Sequence, residues 1–327
     1  MRVDVHTHYL PAAYRDLLRE WGKEVRVEDR NGTPHAVYGD TARELAPGFR
    51  DLEARSEWMA EHDIDRTVAS ISNPSPHDET FTDAESVELV RAINDGFADA
   101  QAERPDEFAG FGTVPFRDPD AAVDEVDRIA DLGLAGVAVP TAVRGRTLSD
   151  PAFEPIFDRI EDHGLPVFVH PTRNVLSEQF EPEEGGLDPT VVFPVDTTVQ
   201  LTRLIFDGFF DRHDLDVIIA HMGGALPYLV GRLERGRERF RDDPDSSPEH
   251  SIYHYIESFY YDAISFHAPA VGAAIETVGD DHLLFGTDYP FNMEDAPATV
   301  ADIDARAPTE EAAAAILGNT AIDVFGL

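Results

Sequence analysis

The stretch RVDVHTHYLP, residues 2–11, places two histidines one residue apart at the end of a short β-branched run. Successive side chains of a strand alternate between its two faces, so His6 and His8 are predicted to project side by side. Two imidazoles arranged in this way form a chelating pair. What they bind depends on which other strand ends lie next to them.

Seven further apolar or β-branched runs follow along the chain, with amphipathic helical patterns between them. Together with Arg2–His6, the predicted strands are Thr67–Ile71, Phe108–Val114, Leu134–Val139, Pro166–His170, Val217–His221, Phe259–Ile264 and His282–Thr287. This alternation is typical of βαβ units with a parallel sheet, and eight strands are the number of a (β/α)8 barrel. We therefore predict an α/β fold, a (β/α)8 TIM barrel, that forms one domain over residues 1–327.

Local signals refine this prediction. The first two predicted strands are too far apart for one helix, and the polar stretch at about residues 22–48 is predicted to be a small insertion over the barrel mouth. The composition of Arg241 to His250 predicts a loop.

Two helices carry matching signals at both ends. Asp118-Pro119 and Asp150-Pro151 are typical of an N-cap acid followed by a proline in the first helical position. Gly133 and Gly164 stand where glycines end the two helices.

Composition excludes several classes of partner and chemistry. The 64 acidic and 26 basic residues give a formal charge of −38, which repels nucleic acids and anionic membranes. Lys23 is the only lysine, and this acidic, lysine-poor composition indicates the solvated surface of a halophilic protein. No cysteine is present, so a metal site must use histidines and carboxylates. No secretory signal or membrane-spanning apolar run is seen, so a cytoplasmic protein is expected.

Four predicted strands end in potential metal ligands or bases: His6 with His8, His170, His221 and Asp288. The carboxyl ends of parallel barrel strands meet at one mouth, where this fold builds its active sites. Inward-facing imidazoles there need a partner, and a divalent metal supplies one. The other histidines fall in predicted loops or helices and are expected to be solvated, apart from His267 at the end of the seventh strand: His35, His62, His77, His163, His213, His250, His254 and His282.

The sequence resembles the metal-dependent decarboxylase branch of the amidohydrolase superfamily, around aminocarboxymuconate semialdehyde decarboxylase and the hydroxybenzoate decarboxylases. The matching segments, in the order and spacing of the family, are DVHTHYLP, FVHP, FPVDTTVQLTRLIFDGFFDRHDLDVIIAHMGGALPYLVGRL, FYYDAISFHAP and HLLFGTDYPF. The most specific are the segment that begins with His221 and the later Gly-Thr-Asp-Tyr-Pro-Phe.

The resemblance assigns roles to the candidate residues. It implies that His6, His8, His170 and Asp288 are metal ligands, and that His221 acts with Asp288 in proton transfer. Their donor atoms suit one divalent ion, Zn²⁺ first and otherwise Mn²⁺, Fe²⁺ or Co²⁺, with no organic cofactor.

Three further residues match substrate-binding or pocket residues of the family. Arg232 matches an arginine that crosses a dimer interface to the neighbouring substrate, although an exposed helix arginine explains it equally well. Arg43 falls near a substrate-binding arginine, and His267 matches a histidine near the pocket or is structural. A homodimer is expected.

Many superfamily members hold two metals bridged by a carbamylated lysine from the fourth strand. Lys23 lies far from that strand in the sequence, so a site with one metal ion is expected.

The expected function is the non-oxidative decarboxylation of a small unsaturated or hydroxyaromatic carboxylic acid. An alternative is a metal-dependent hydrolase that uses a metal-activated water to attack a lactone, ester or amide, because the same ligands serve both reactions. A catalytically silent barrel that acts as a binding or structural subunit is a third reading, which predicts missing ligands.

Overall fold

The protein is described by a computed structural model that covers residues 1–172, 186–240 and 248–327. Its strands are β1 (Val3–His8), β2 (Val25–Arg30), β3 (Thr33–Tyr38), β4 (Thr41–Glu44), β5 (Arg66–Ser70), β6 (Phe108–Gly112), β7 (Gly136–Pro140), β8 (Ala142–Val143), β9 (Arg146–Thr147), β10 (Val167–His170), β11 (Val217–Ile219), β12 (Tyr260–Asp262) and β13 (Leu283–Leu284). Most of Arg241 to His250, the predicted loop, lies outside the described residues.

Eight strands form one parallel sheet in the order β1-β5-β6-β7-β10-β11-β12-β13. The sheet closes because the segment after β13 hydrogen-bonds back to β1: Val5 N–H donates to the Phe285 carbonyl at 3.0 Å, and His8 N–H donates to the Tyr289 carbonyl at 2.7 Å. The predicted (β/α)8 barrel is confirmed, with every predicted strand present.

Helices surround the barrel. They are α1 (Ala12–Trp21), α2 (Leu52–Glu61), α3 (Asp83–Glu103), α4 (Pro119–Asp131), α5 (Glu154–Asp162), α6 (Phe193–Phe206), α7 (Phe209–Arg212), α8 (Leu226–Phe240), α9 (Ile252–Ser258), α10 (Ala268–Val278), α11 (Ala296–Arg306), α12 (Glu310–Ala314) and α13 (Thr320–Phe325). In the described parts of the chain, none of these helices has the length and apolarity needed to cross a membrane.

The helix-end signals were partly right. Asp118 caps α4 by accepting from Ala121 N–H at 3.2 Å, and Gly133 and Gly164 adopt positive φ after α4 and α5. The predicted cap at Asp150 is wrong, because this carboxylate accepts from Ala152 N–H and starts a turn, so that α5 begins only at Glu154. Hydrogen bonds within that turn satisfy the local N–H groups before the helix begins.

The predicted insertion lies between α1 and α2. It contains a three-stranded antiparallel sheet in the order β2-β3-β4, separate from the barrel sheet. Val25 and Val27 are buried, whereas alternate residues of β2 are partly exposed, as in a sheet with one covered face. Arg43 on β4 lies against Phe291, in the segment after β13.

Five barrel strands end earlier than predicted, and three of them precede predicted site residues. β11 ends at Ile219, β12 at Asp262 and β13 at Leu284. His221, His267 and Asp288 therefore lie beyond the strands, in the connections at their carboxyl ends, where the side chains of a barrel site are usually found.

Candidate metal and active site

Four side chains converge at the carboxyl end of the barrel. His6 and His8 come from β1, His170 ends β10, and Asp288 follows β13, and one donor atom from each lies within 4.8 Å of the others. The three imidazole rings are mutually close, with centroids 4.8–5.1 Å apart. We refer to these four residues as the His/Asp cluster.

His6 is oriented by a buried carboxylate on β12. Its Nδ1 lies 2.6 Å from Asp262 Oδ2, while its Nε2 faces Asp288 Oδ1 at 3.4 Å. Burial by itself lowers the pKa of His6, but its hydrogen bond to Asp262 and the nearby carboxylate of Asp288 together outweigh burial and raise this pKa to about 10. A carboxylate behind a metal-binding histidine fixes the tautomer and the ring orientation, and leaves the opposite nitrogen for the metal.

Asp262 accepts hydrogen bonds from more than His6. Its Oδ2 also accepts from the backbone N–H of His221 at 2.8 Å, and its Oδ1 accepts from Met222 and Ile264 N–H, both at 3.0 Å. Burial raises the pKa of this carboxyl, but the hydrogen bond and charge of His6, the charge of His221 and the Met222 N–H together more than compensate and leave the pKa below its usual value. Asp262 thus links β1, β12 and the turn after β11.

His8 and Asp288 form the other half of the cluster. His8 Nε2 lies 2.9 Å from Asp288 Oδ1, and its Nδ1 lies 3.1 Å from Ser70 Oγ. Burial lowers the pKa of His8 to about 4 and that of His170 well below its usual value, so both rings are neutral at physiological pH. Burial opposes ionisation of Asp288, but the adjacent His6 and its hydrogen bond with His8 hold the pKa of this carboxyl well below its usual range.

His221 lies against the cluster without belonging to it. Its ring centroid is 4.9 Å from that of His6 and 5.3 Å from that of His170, and its Nδ1 is buried with no hydrogen-bond partner in the described part of the chain. Burial lowers the pKa of His221. A neutral imidazole beside the site is able to accept and return a proton.

The turn that carries His221 requires its two glycines. A Cβ on Gly223 would lie 2.7 Å from the Tyr261 ring, and one on Gly224 would lie 2.0 Å from the Pro194 carbonyl oxygen. Both residues have positive φ, the region that glycine adopts without a steric cost. The His-Met-Gly-Gly sequence is therefore explained by the close approach of β12 and α6 to this turn.

Two arginines reach the site from the insertion side. The Arg43 guanidinium lies 4.4 Å from the ring centroid of Phe291, which in turn packs against His8. Burial lowers the pKa of Arg43, an effect that Tyr38 and Asp288 partly oppose. Arg55 is fully buried and donates to Thr7 Oγ1 and to the carbonyls of His8 and Gly48, which fixes the end of β1.

The remaining predicted site residues lie outside the cluster. Arg232 is exposed on α8, and His267 is an exposed residue at the N-cap of α10. Two histidines expected to be solvated are not. His213 is buried and lies 2.8 Å from Glu154 Oε2, and His77 is partly buried in the wall of a cavity beside His170.

Sequence reasoning missed Asp262, Arg55 and His77. Asp262 stands at the carboxyl end of a barrel strand. The position at a strand end that selected His170 therefore also marks Asp262. No comparable signal marks Arg55 or His77, because one is a helix residue and the other lies in a connecting loop.

The donor atoms of the His/Asp cluster are suited to a bound cation. Two of its nitrogens, Nε2 of His6 and Nε2 of His170, are buried without a hydrogen-bond partner among the described residues. Three imidazoles and one carboxylate are a ligand set that suits a divalent transition metal. Lys23, the only lysine in the sequence, forms an ion pair with Glu85 on α3 at 2.6 Å. No lysine of the described residues therefore lies near the carboxyl end of β7, the fourth barrel strand.

A family model described as Amidohydrolase matches residues 3–327. The chain belongs to this family.

Two relatives of this chain are decarboxylases. It is 28% identical to 2-amino-3-carboxymuconate-6-semialdehyde decarboxylase from Dictyostelium discoideum, over 100% of this chain and 92% of the relative. It is 31% identical to gamma-resorcylate decarboxylase from Rhizobium sp. (strain MTP-10005), over 79% of this chain and 83% of the relative.

A solved decarboxylase structure is also similar to this chain. The 5-carboxyvanillate decarboxylase from Novosphingobium aromaticivorans, a mutant with bound manganese and 3-methoxy-4-hydroxy-5-nitrobenzoic acid, superposes with a TM-score of 0.84 at 26% identity, over 100% of this chain and 97% of that chain. The resemblance to the decarboxylase branch that the sequence predicted is confirmed.

Proposed function

We propose that this chain is a metal-dependent carboxy-lyase that removes carbon dioxide, without oxidation, from a small hydroxyaromatic or unsaturated carboxylic acid. The observation that carries this proposal is the His/Asp cluster with His221 beside it, in a chain whose relatives decarboxylate such acids. Those relatives favour decarboxylation over the hydrolysis of a lactone, ester or amide, which uses similar ligands.

We propose that His6, His8, His170 and Asp288 hold one divalent ion. Three imidazole nitrogens favour Zn²⁺, while the manganese bound to the 5-carboxyvanillate decarboxylase makes Mn²⁺ the main competitor. When bound, the ion supplies a Lewis acid that draws negative charge away from the carboxylated substrate. No organic cofactor is expected.

The residues around the cluster would transfer the proton and bind the acidic substrate. His221, with Asp288, takes up a proton from water and delivers it to the carbon that bears the carboxylate. The bond from this carbon to the carboxylate then breaks, and its electron pair restores the ring or diene as carbon dioxide leaves. Arg43, at the rim of the site against Phe291, supplies positive charge for the acidic substrate within a strongly acidic protein.

We propose that the enzyme is a homodimer in which Arg232 reaches the substrate site of the partner subunit. On α8, Tyr228 is 87% exposed and Arg232 lies one turn away, while Val195 and Val199 on α6 are 46% and 52% exposed. α6 and the start of α8 are neighbours, because Ala225 N–H donates to Thr198 Oγ1 at 2.8 Å. Exposed apolar side chains on neighbouring helices are typical of an interface. His267 is retained as a candidate pocket residue, and the cytoplasmic location and adaptation to salt remain predictions from the composition.

The reaction is tested by measuring carbon dioxide release from a panel of hydroxybenzoates and muconate-like acids, with protein stripped by a chelator and then reloaded with Zn²⁺ or Mn²⁺. Release from at least one acid, lost on stripping and regained on reloading, is expected. Turnover of lactones or esters with ¹⁸O from water in the product, and no carbon dioxide from any acid, would establish the hydrolase instead.

The role of Arg232 is tested by mixing two inactive variants, Arg232→Ala and His221→Asn. If Arg232 acts across the interface, mixed dimers contain one complete site and regain part of the activity. No regained activity, or a monomer by light scattering, would contradict the proposed arrangement.

A further inference from the structure

A second group of potential metal ligands surrounds His213, which lies between α7 and β11. One donor atom from each of His213, Glu154 and Asp158 lies within 4.8 Å of the other two. The carboxylate of Glu161 is a further neighbour, with its Oε2 3.5 Å from His213 Nδ1. All three acidic residues belong to α5, which leads into β10. The group therefore precedes β10 and β11 in the chain, whereas the His/Asp cluster lies at the carboxyl ends of the barrel strands.

Glu154 fixes which nitrogen of His213 is free. His213 Nε2 lies 2.8 Å from Glu154 Oε2, and because a carboxylate only accepts, Nε2 carries the hydrogen and Nδ1 of the neutral ring presents a lone pair. Glu154 Oε1 accepts from Arg212 Nη2 at 2.6 Å and from Arg212 Nε at 3.0 Å, so both oxygens of this carboxylate are in use. A carboxylate behind a histidine is the usual device that orients a metal-binding imidazole.

The free nitrogen of His213 is buried and has two carboxylates in front of it. The His213 side chain is 1% exposed and packs against Phe157 and Phe209, with ring centroids 6.0 and 4.7 Å away. Its Nδ1 has no hydrogen-bond partner among the residues that the structure describes. The neighbouring oxygens are Asp158 Oδ1 at 3.6 Å and Glu161 Oε2 at 3.5 Å. A buried polar nitrogen without a partner is unfavourable, so this atom points to a ligand.

The two distances suit metal ligands better than hydrogen bonds. An N–H···O bond measures about 2.7–3.2 Å, which is shorter than either distance. Two atoms bonded tetrahedrally to one zinc ion, each at about 2.0–2.1 Å, lie about 3.3 Å apart. The side chain of Asp158 is 69% exposed and that of Glu161 is 37% exposed, so a small movement of either admits an ion from solvent. In the described part of the chain, neither carboxylate forms an ion pair with a lysine or an arginine.

We propose that His213 Nδ1, Asp158 and Glu161 form a second metal site, which takes a divalent transition-metal ion such as Zn²⁺ with water in the remaining position. An imidazole with two carboxylates favours such an ion over Mg²⁺ and Ca²⁺, which prefer oxygen ligands alone. The bound ion would join α5 to the segment before β11, which is a structural role. The site has three protein donors, against four in the His/Asp cluster, and two of them are exposed. We therefore expect it to bind its ion more weakly and to fill only when metal is added to the purified protein.

The test removes the two exposed ligands and leaves His213 in place. Asp158→Asn/Glu161→Gln is compared with Asp124→Asn/Asp162→Asn, which removes the same charge from exposed positions of α4 and α5 outside this group. Metal-free proteins are dialysed against Zn²⁺ in about 1 M KCl, which screens non-specific attraction to the acidic surface. The zinc bound per chain is then measured by atomic emission.

The unmodified protein and the control should each bind one more Zn²⁺ per chain than Asp158→Asn/Glu161→Gln. All three proteins share the His/Asp cluster, so this difference does not depend on what the cluster binds. Added Zn²⁺ should also raise the thermal midpoint of the control further than that of the ligand variant, because an ion that binds only the folded chain stabilises it.

Equal zinc counts in the two double variants would overturn the inference and would leave His213 as a buried histidine held by Glu154 alone. If the ligand variant does not give a cooperative thermal transition, Asp158→Asn takes its place, because it changes only the more exposed carboxylate. In crystals soaked with Zn²⁺, the added ion should lie within bonding distance of His213 Nδ1. Added zinc bound only at other positions would contradict the proposed site.

Discussion

Replacing Asp262 with asparagine tests how the site is positioned. The two carboxylate oxygens of Asp262 accept from His6 Nδ1 and from the backbone N–H groups of His221, Met222 and Ile264. An amide in the same place keeps one acceptor oxygen, so its NH₂ group must face two of these donors. Asparagine has nearly the shape of aspartate, so the loss of the negative charge and of its hydrogen bonds is the main effect.

The magnitude follows from the bonds lost. Two hydrogen bonds to a buried charged group are each worth about 1.5–3 kcal/mol, so the Asp262→Asn variant should lose roughly 3–6 kcal/mol of unfolding free energy. Loss of the carboxylate behind His6 should also weaken metal binding by about 10- to 100-fold. Affinity is measured by competition with a chelator of known affinity, and stability by urea unfolding of the metal-free protein.

Glu125→Gln is the matched control. Glu125 is also a buried carboxylate, bonded to Asn94 and Arg128 on the α3–α4 side of the barrel, away from the cluster. Its amide variant should lose stability while its metal affinity stays within twofold. Unchanged metal affinity in Asp262→Asn would refute the positioning role, whatever happens to stability.

Three further outcomes are expected. His221→Asn should lower carbon dioxide release at least about 100-fold with metal content unchanged, as removal of a general acid–base group does, and loss of the metal from this variant would argue for a ligand role instead. Gly224→Ala should lower the unfolding free energy by about 2–4 kcal/mol, because its Cβ would meet the Pro194 carbonyl. Gly133→Ala, also at positive φ but with nothing within 4 Å, should lower it by only about 1 kcal/mol. Equal losses for the two variants in urea unfolding would contradict the close approach. His77 has a pKa of about 4 in the fold against 6.5 unfolded, so its contribution to the unfolding free energy is complete above pH 6.5 and is lost as the pH falls toward 4. From pH 7.5 to 5 the unmodified protein should therefore lose about 2 kcal/mol more than His77→Asn. Parallel pH profiles of the unfolding free energy for the two proteins would disprove burial of a neutral ring.

Much of the barrel was readable from the sequence because the buried strands are short apolar or β-branched runs separated by amphipathic helical patterns. The His/Asp cluster was readable for a related reason: every member stands at or just after the carboxyl end of a strand, and a parallel barrel brings those ends together. His6 and Asp288 lie far apart in sequence, yet the topology alone predicted their meeting.

Other features depend on packing that a single sequence does not encode locally. Burial of Arg55 follows from its three acceptors on β1 and the adjoining loop, and nothing in the LEARSEWMAE pattern of α2 distinguishes it from an exposed helix arginine. Burial of His213 similarly depends on α5, which supplies Glu154 from a distant part of the chain. The misplaced start of α5 arose because Asp150 forms a turn with the same chemistry that forms a helix cap.

The central claim is that one transition metal ion lies among His6, His8, His170 and Asp288. Crystals of active protein purified without chelators, measured at the absorption edges of zinc and manganese, test it most directly. We predict one anomalous peak per chain, within bonding distance of all four side chains. Full activity in protein with no metal, or a peak bound elsewhere in the chain, would contradict the account.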